Sequence, residues 1–242
     1  MRMIPRWFPR QDRRARSVAA RVTASAACAV LLASALAPSQ ALGDARTQAK
    51  RLHDRLAGVP PGSAVLDEMT ADIAAGRFID AAYTAMENGA FYDVTLKNFA
   101  MPWTNRDQSV FEPLNDYVAT VVGMVRDDVP FNQVLSEDIL YTGRSGLGLP
   151  AFSPANNDHF EALEKSGVSL KDALARTTQS SMTGLPPNAT AGVITSRAAA
   201  KAFFIAGTNR AMFRFTLINH LCRDLEQLQD ETRPADRIRQ DV

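Results

Sequence analysis

His220 and Cys222 are the side chains whose types and spacing come nearest to a metal-binding motif. Imidazole nitrogen and thiolate sulfur both bind transition-metal ions such as zinc. The two residues lie two positions apart within the amphipathic stretch Ala191–Asp230, and on an α-helix such a pair points to different faces. We therefore interpret His220 as a partly buried helix histidine, with a ligand role as the alternative, and we assign no metal-binding residue.

The other two histidines, His53 and His159, have no second histidine, cysteine or carboxylate at a spacing that would hold one metal ion. The 242 residues also contain no C-x-x-C-H motif, the sequence that attaches c-type haem covalently. The sequence therefore predicts no cofactor-binding residue and no cofactor in this chain.

Motifs for nucleotide binding and for catalysis are incomplete. The segment Gly143–Gly148 lacks the lysine of a phosphate-binding loop, and Ser145 lies in GRSGL, which differs from the G-x-S-x-G turn of serine hydrolases. The acidic pairs Asp127-Asp128 and Glu137-Asp138 occur at predicted helix ends, where we interpret them as solvated ends or caps, with general acid–base catalysis as the alternative. We assign no catalytic residue, and the sequence favours a non-enzymatic role while leaving an enzymatic one open.

The aromatic residues Trp103, Phe111 and Tyr117 lie close together in the segment NFAMPWTNRDQSVFEPLNDY. Aromatic rings fill hydrophobic cores, and when they are exposed they line binding surfaces. Core packing against a neighbouring helix is the interpretation that we favour. A groove that binds a sugar or a peptide is the alternative.

The last helical pattern is the clearest element that would position these groups. Phe215, Ile218, Cys222 and Leu225 follow one another at spacings of three, four and three residues, as on one face of an α-helix. The pattern predicts that this face, including the Cys222 thiol, is buried. Thr208 is the predicted N-cap of this helix, and Thr195 that of the helix before it.

Similar periodicity predicts helices over residues 44–56, 63–75, 78–86, 91–99, 114–126, 131–143, 158–165 and 169–175. In the fourth of these, the residues expected to face inward are Phe91, Val94, Thr95, Asn98 and Phe99. Two long loops, Gly143–Asn157 and Thr177–Thr190, interrupt the pattern, and no segment alternates as an exposed strand does. The sequence therefore predicts an all-α (mainly α) fold, an irregular multi-helix bundle with two long loops.

Charge is distributed unevenly along the chain. The formal net charge is +1, from 27 basic and 26 acidic residues, but residues 1–43 hold seven arginines and a single acid. The remaining residues carry 20 basic and 25 acidic side chains. A mildly acidic body argues against nucleic-acid binding, which depends on lysine and arginine neutralising phosphates.

The arginine-rich N-terminus is followed by the uncharged apolar run Val22–Ala37 and then by the small residues Ala41 and Gly43. This order is typical of a secretory signal peptide, so we expect residues 1–43 to be a signal peptide that is cleaved near Gly43. An uncleaved N-terminal anchor is the alternative. Cleavage would remove Cys28, leave no stable membrane span, and place the protein in the periplasm or outside the cell.

Residues 44–230 are the predicted helical domain. From Glu231 the sequence ETRPADRIRQDV is polar and charged, which is typical of a tail or an inter-domain linker, so we expect residues 231–242 to form one.

Four phrases of the chain resemble a known group of proteins: YDVTLKNFAMPWTN, VFEPLNDYVATVVGMVRDDVPFNQVLSEDILY, AGVITSRAAAKAFFIAGTNRAMFRFTLINHLCRDLEQ and TRPADRIRQDV. They are similar to uncharacterised secreted bacterial proteins in which helical domains of unknown function precede a C-terminal c-type haem domain. The shared feature is a "VPFNQVL…DILY" segment, then an "AGVIT…" segment that leads into a helix.

The resemblance implies that a haem-attachment motif follows that helix, whereas this sequence stops at Val242 without one. We therefore expect covalent haem only in a missing C-terminal region or in a separate partner, a c-type cytochrome domain or protein. The resemblance carries no catalytic residue over to this chain. It implies an exported helical module that supports or docks a c-type cytochrome, and the alternative is an extracellular protein that binds or degrades a polymer.

Overall fold

The computed structural model describes residues 44–205, 209–224 and 227. The predicted signal peptide over 1–43, the tail over 231–242, the cap at Thr208 and the inward position of Leu225 all lie outside these residues. The described chain is mainly helical with one two-stranded sheet, which confirms the predicted fold class. None of the described helices is long and apolar enough to cross a membrane.

Three helices form the N-terminal layer: α1 (Ala45–Ala57), α2 (Ser63–Ala74) and α3 (Phe78–Met86). Their bounds agree closely with the predicted ones. Small side chains let the helices approach closely, and the buried residues between them are Ala49, Met69, Ile73, Ala81 and Ala85. His53 is buried here, where its Nδ1 lies 2.8 Å from the carbonyl oxygen of Val59 and holds the turn that follows α1.

A π-helical turn over Phe91–Leu96 leads into the short helix α4 (Lys97–Ala100) and a 3-10 turn over Met101–Thr104. The predicted inward face is wrong here. Because a π-helix closes its hydrogen bonds over five residues, it rotates the following positions away from the α-helical pattern. The structure buries Phe91, Tyr92, Leu96 and Ala100 and leaves Val94, Asn98 and Phe99 exposed.

The central helix, α5 (Asp116–Arg126), is buried at every position from Asp116 to Met124. Asn115 caps it, since the side-chain oxygen accepts a hydrogen bond from the Val118 amide at 3.1 Å. Burial on all sides explains why its valine-rich sequence has the composition of a buried strand although it folds as a helix. The other elements of the main core pack around α5.

The chain after α5 differs from the prediction. A 3-10 turn over Phe131–Leu135 is followed by β1 (Leu140–Gly143), where a helix was predicted up to Gly143. Helix α6 (Asp158–Ser166) and the short α7 (Leu170–Ala173) come next, and then β2 (Leu174–Thr177) pairs antiparallel with β1. The first three residues of β1 are buried in succession, so the sequence shows no alternation that would reveal a strand.

Within the second predicted loop, residues 179–183 form the short helix α8 (Gln179–Thr183), and a 3-10 turn spans Pro187–Ala189. The next helix, α9 (Arg197–Ala199), begins after Ser196, whose hydroxyl oxygen accepts a hydrogen bond from the Ala199 amide; the predicted cap was Thr195. A π-helical turn over Ala200–Ile205 continues α9, and α10 (Asn209–Leu221) is the last described helix.

Cys222 is exposed, so the prediction that its thiol lies on a buried face is wrong. Helix α10 ends one residue earlier, at Leu221, and Cys222 adopts a left-handed backbone conformation with φ of +51°. The Arg223 amide then donates to the Leu217 carbonyl at 3.1 Å, which is the six-to-one hydrogen bond that closes many helix C-termini. The helical period therefore stops before Cys222 can reach the core.

The "VPFNQVL…DILY" and "AGVIT…" segments contact each other directly. The Gly192 amide donates to the Glu137 carbonyl at 2.9 Å, and the Val193 amide donates to the Val134 carbonyl at 2.9 Å. Gly192 has φ of +51°, and a Cβ at this position would lie 1.9 Å from the Val134 carbonyl oxygen. Only glycine fits this close approach of two backbones.

Candidate functional site

One concave feature is a cavity of about 500 Å³ whose walls come from both predicted loops and from the segment 195–205. We call it the apolar cavity. Its walls are formed by Leu140, Phe152, Pro154, Ala155, Leu185, Ala200 and Ile205, and its polar lining groups by Asp116, Gln179, Thr183, Thr195, Ser196, Arg197 and Lys201. Apolar walls with a few polar groups are the usual composition of a small-molecule site.

His159 holds the first loop in place beside the apolar cavity. Its Nε2 accepts a hydrogen bond from the Gly143 amide at 2.9 Å, and its Nδ1 donates to the Pro150 carbonyl at 2.7 Å. The ring also lies edge-on to Phe152, with 6.4 Å between ring centroids. The imidazole therefore fixes both ends of the loop's first half and orients one wall of the cavity.

Gln179 holds the second loop. Its side-chain amide donates to the carbonyls of Ile139 and Gly192, and its oxygen accepts from the Thr195 hydroxyl at 2.7 Å. The residue is buried, so these hydrogen bonds form away from water. They join β1, α8 and the AGVIT segment at the floor of the apolar cavity.

Asp116 is a buried carboxyl group at the same floor, only 1% exposed. Its two oxygens accept hydrogen bonds from the amides of Arg197 at 2.6 Å and Ala198 at 3.0 Å, which are free donors at the start of α9. Burial raises the pKa of Asp116, while these two amides and the Arg197 guanidinium oppose the increase. The carboxyl group therefore joins the first turns of α5 and α9.

Arg197 and Lys201 form a cationic wall of the apolar cavity, one helical turn apart. Arg197 donates from Nη2 to the Asn157 side-chain oxygen at 2.7 Å, and its buried Nε has no hydrogen-bond partner. Within the described part of the chain, neither side chain forms an ion pair. The Lys201 side chain is exposed.

A second concavity of about 610 Å³, which we call the polar cavity, also has Arg197 and Lys201 in its lining. Its charged groups have both signs: Arg106, Arg197, Lys201 and Arg214 against Asp107, Glu112 and Glu161. Arg214 forms a two-bond ion pair with Asp224, at 2.9 and 2.8 Å, so part of this charge is neutralised within the chain. The two cavities meet at Arg197 and Lys201.

His220 lies outside both cavities, in a cluster that packs α10 onto the core. Its Nε2 is 2.7 Å from the Tyr117 hydroxyl oxygen, and its ring lies edge-on to Trp103 with 5.3 Å between centroids. Burial lowers the pKa of His220 to about 4, so the ring is neutral at physiological pH. The side chain is half-buried, and these contacts give it the packing role that the sequence suggests.

Neither acidic pair lines a cavity. Asp127 accepts two hydrogen bonds from the Arg126 guanidinium and one from the Tyr141 hydroxyl at 2.7 Å. The Arg126 hydrogen bonds, against the opposing effect of burial, hold the pKa of Asp127 below its usual value. Asp138 accepts from the amide and hydroxyl of Ser180 and so caps α8. Both aspartates therefore make structural contacts.

The rings of the aromatic segment lie outside both cavities, but residues next to Trp103 in the sequence line one of them. Trp103 packs between Phe99 and His220, and Tyr117 is buried, whereas Phe111 is 93% exposed. Residues 104–107, directly after Trp103, line the polar cavity. Concave surface therefore exists beside both the Trp103 region and the Gly143–Asn157 loop.

The residues that define the cavities escaped sequence analysis because none belongs to a motif. Asp116, Gln179 and Arg197 lie 18 or more residues apart in the chain and meet only through tertiary packing. The one local signal was the spacing of Arg197 and Lys201, which places two cations on one face of an otherwise apolar helical stretch.

Among the described residues, no group of three or more histidine, cysteine, aspartate or glutamate side chains is arranged to hold a metal ion. Comparisons of the chain with protein-family models, with curated proteins and with solved structures find no match. The resemblance to secreted haem-associated proteins stays a prediction.

Proposed function

We propose that this chain is an exported, non-catalytic helical module that binds a ligand in the apolar cavity. The observation that carries the proposal is a preformed cavity with apolar walls and two cationic side chains, Arg197 and Lys201, that form no ion pair with any described residue. Ligand sites combine such walls with a few polar groups that fix orientation. Export follows from the predicted signal peptide over residues 1–43.

A binding role fits the side chains around the cavity better than catalysis does. No histidine lines either cavity among the described residues, and the Thr195 hydroxyl is engaged by Gln179. Activating a serine or threonine nucleophile requires a base within hydrogen-bond reach. The rigid hydrogen bonds of Gln179 and His159 instead preorganise the cavity walls, which lowers the entropic cost of binding.

The ligand can be a small molecule or a segment of a polymer. Because the two cavities share Arg197 and Lys201, a chain-like ligand that passes these residues would contact both. This arrangement keeps extracellular polymer binding as one form of the proposed function.

Blocking the apolar cavity tests the proposal. Ala155 is an exposed wall residue, so Ala155→Trp fills space in the cavity without disturbing the core. Ala71, exposed on α2 and remote from both cavities, provides the matched control Ala71→Trp. Native mass spectrometry of the full chain, mixed with a panel of oligosaccharides, peptides and amphiphiles, should show a complex that Ala155→Trp loses and Ala71→Trp keeps. A panel with no complex sensitive to Ala155→Trp would contradict the proposal.

We propose as a second function that the C-terminal part of the chain docks a c-type cytochrome domain. The observation that favours it is a set of exposed apolar side chains in and after the last π-helical turn: Phe204, Ile205, Phe213 and Leu221. Exposed apolar side chains that form one patch commonly mark interaction sites. The Soret absorbance of a cytochrome from the same genome should co-elute with the full chain and not with its Phe213→Ser variant. Equal elution with both variants would contradict docking at this surface.

A further inference from the structure

We propose that the ligand of the apolar cavity is an amphipathic anion, a medium-chain carboxylate whose headgroup contacts Arg197 and Lys201. The inference rests on the proposed function and adds the chemical class of the ligand. Its basis is a comparison of the hydrogen-bonding groups that line the cavity with the partners that the chain already provides.

The polar groups at the floor already have partners within the protein. The Gln179 side chain makes hydrogen bonds through both its nitrogen and its oxygen, and the Thr195 hydroxyl donates to Gln179 and accepts from the Ala191 amide at 2.9 Å. Asp116 accepts from the amides at the start of α9, and Ser196 accepts from Ala199. These groups therefore leave little capacity for orienting a ligand.

The lining groups that can still form hydrogen bonds lie on the cationic wall, and they are all donors. An arginine side chain has five N–H donors and no acceptor, and a lysine has three donors. Arg197 donates one hydrogen bond to Asn157, and among the described residues neither its Nε nor the Lys201 ammonium group has a hydrogen-bond partner. A ligand that satisfies these groups must present hydrogen-bond acceptors to them.

The charge balance points to an anion. Among the residues that the structure describes, two cations line the apolar cavity, and Asp116 is the only carboxyl group in its lining. The Asp116 oxygens are directed to backbone amides and form no ion pair with either cation within 4 Å. Even with Asp116 ionised, the lining carries a net positive charge. A carboxylate is an anion that only accepts hydrogen bonds, and it accepts short, charge-assisted ones from arginine and lysine.

The remaining walls favour an apolar tail. Phe152, Leu185 and Ile205 line the cavity, and Ile205 is 81% exposed. Covering apolar surface contributes about 25 cal/mol for each Å² removed from water. A sugar would leave these side chains facing hydroxyl groups, whereas an alkyl chain would bury them.

Calorimetric titration of the full chain with decanoate, decanol and decylamine tests the proposal. We expect decanoate to bind about tenfold or more tightly than decanol, which is the effect of one charge-assisted hydrogen-bonded contact. Decylamine should bind more weakly than decanol, because its ammonium group meets Arg197 and Lys201. Raising the salt concentration should weaken the binding of decanoate and leave the binding of decanol unchanged.

Four variants locate the headgroup. Arg197→Met and the exposed Lys201→Met should each weaken decanoate binding and leave decanol binding unchanged, while Arg197→Lys should retain part of the affinity. Arg55→Met, on the exposed face of α1, is the matched control and should bind as the parent chain does. If Arg197→Met fails to fold, Lys201→Met still tests the positive charge of the headgroup site, since the Lys201 side chain makes no hydrogen bond to any described residue.

Decanol or decylamine binding as tightly as decanoate would overturn the anionic class. If that binding is lost in Ala155→Trp, the apolar cavity remains a binding site and only the ligand class is wrong. The conclusion is the same if decanoate does not bind but another compound of the mass spectrometry panel binds the parent chain and not Ala155→Trp. Absence of any ligand sensitive to Ala155→Trp contradicts the ligand class and the proposed function together.

Discussion

The hydroxyl oxygen of Tyr117 lies 2.7 Å from Nε2 of His220, and this contact joins the central helix to the last described helix across 103 residues of sequence. Tyr117 is buried, and burial raises the pKa of its hydroxyl well above the usual value. The phenol therefore stays protonated, and it shares a hydrogen bond with a neutral imidazole. Asn219, beside His220, also donates to the Trp103 carbonyl at 3.2 Å.

The His220 environment predicts that stability falls on acidification. Its pKa is about 4 in the folded chain, against about 6.5 when unfolded. Between these pH values the unfolded state binds more protons than the folded state. The contribution of His220 to the free energy of unfolding is therefore present above pH ~6.5 and is lost as the pH falls towards ~4. The loss is at most about 3 kcal/mol and is reduced by solvent because the ring is part-exposed.

Urea unfolding at several pH values, followed by tryptophan fluorescence, measures this effect. The variant His220→Gln keeps a polar side chain of similar size and removes the titrating group. Its free energy of unfolding should depend less on pH across the same interval. An identical pH dependence in both proteins would show that His220 does not titrate as described.

Gly192→Ala should be among the most destabilising small substitutions in the chain. The added Cβ would meet the Val134 carbonyl oxygen, and the residue must also keep its positive φ. We expect a loss above about 3 kcal/mol, because the backbone contact must separate. Gly146→Ala is the control: φ is +87° but no atom lies within 4 Å of the added Cβ, so the cost should be only about 1 to 2 kcal/mol. Equal losses in thermal unfolding would mean that the two segments do not pack as closely as described.

Gln179→Glu should destabilise the floor of the apolar cavity. The substitution keeps the shape of the side chain. It replaces the amide nitrogen that donates to the carbonyls of Ile139 and Gly192 with a carboxylate oxygen that can only accept. Leaving these buried groups unpaired should cost about 2 to 4 kcal/mol at neutral pH. Acidification should restore part of the loss, since a protonated carboxyl group donates. Gln179→Leu, which cannot be protonated, should show no such recovery in the same unfolding series.

Asp116→Ala should cost more stability than Asn115→Ala. Asn115 caps α5, and its side-chain amide donates to the Thr104 hydroxyl at 3.2 Å; losing such a cap costs about 1 kcal/mol. Asp116 accepts from the first amides of α9, and its removal leaves those buried donors without a partner. Chemical denaturation of the two variants measures the difference. A smaller loss for Asp116→Ala would indicate that burial of its charge outweighs its hydrogen bonds.

The helices with a solvent-exposed face were predictable, since apolar residues at helical spacing specify the bounds of α1, α2 and α3 closely. The β1–β2 pair was missed because Leu140, Tyr141 and Thr142 are buried in succession. The π-helical turn after Ala90 was missed because its period differs from the assumed one. Cys222 was misplaced because the pattern of its helix gave no signal for the helix end.

The site was not predictable from local pattern. Its lining residues come from the start of α5, from both loops and from α9, and only the folded chain brings them together. The acidic pairs were interpreted as solvated helix ends or caps, whereas Asp127 accepts hydrogen bonds from Arg126 and Tyr141, and Asp138 accepts them from Ser180 in the first turn of α8. The loop between Gly143 and Asn157 borders the apolar cavity.

Methyl NMR of the full chain titrated with decanoate tests the central claim most directly. The methyl signals of Leu140, Leu185 and Ile205 should shift together and saturate, while those of Leu52 and Ile73 in the N-terminal layer should stay in place. Shifts confined to other methyl groups, or no saturable shift at Leu140, Leu185 and Ile205, would contradict ligand binding in the apolar cavity.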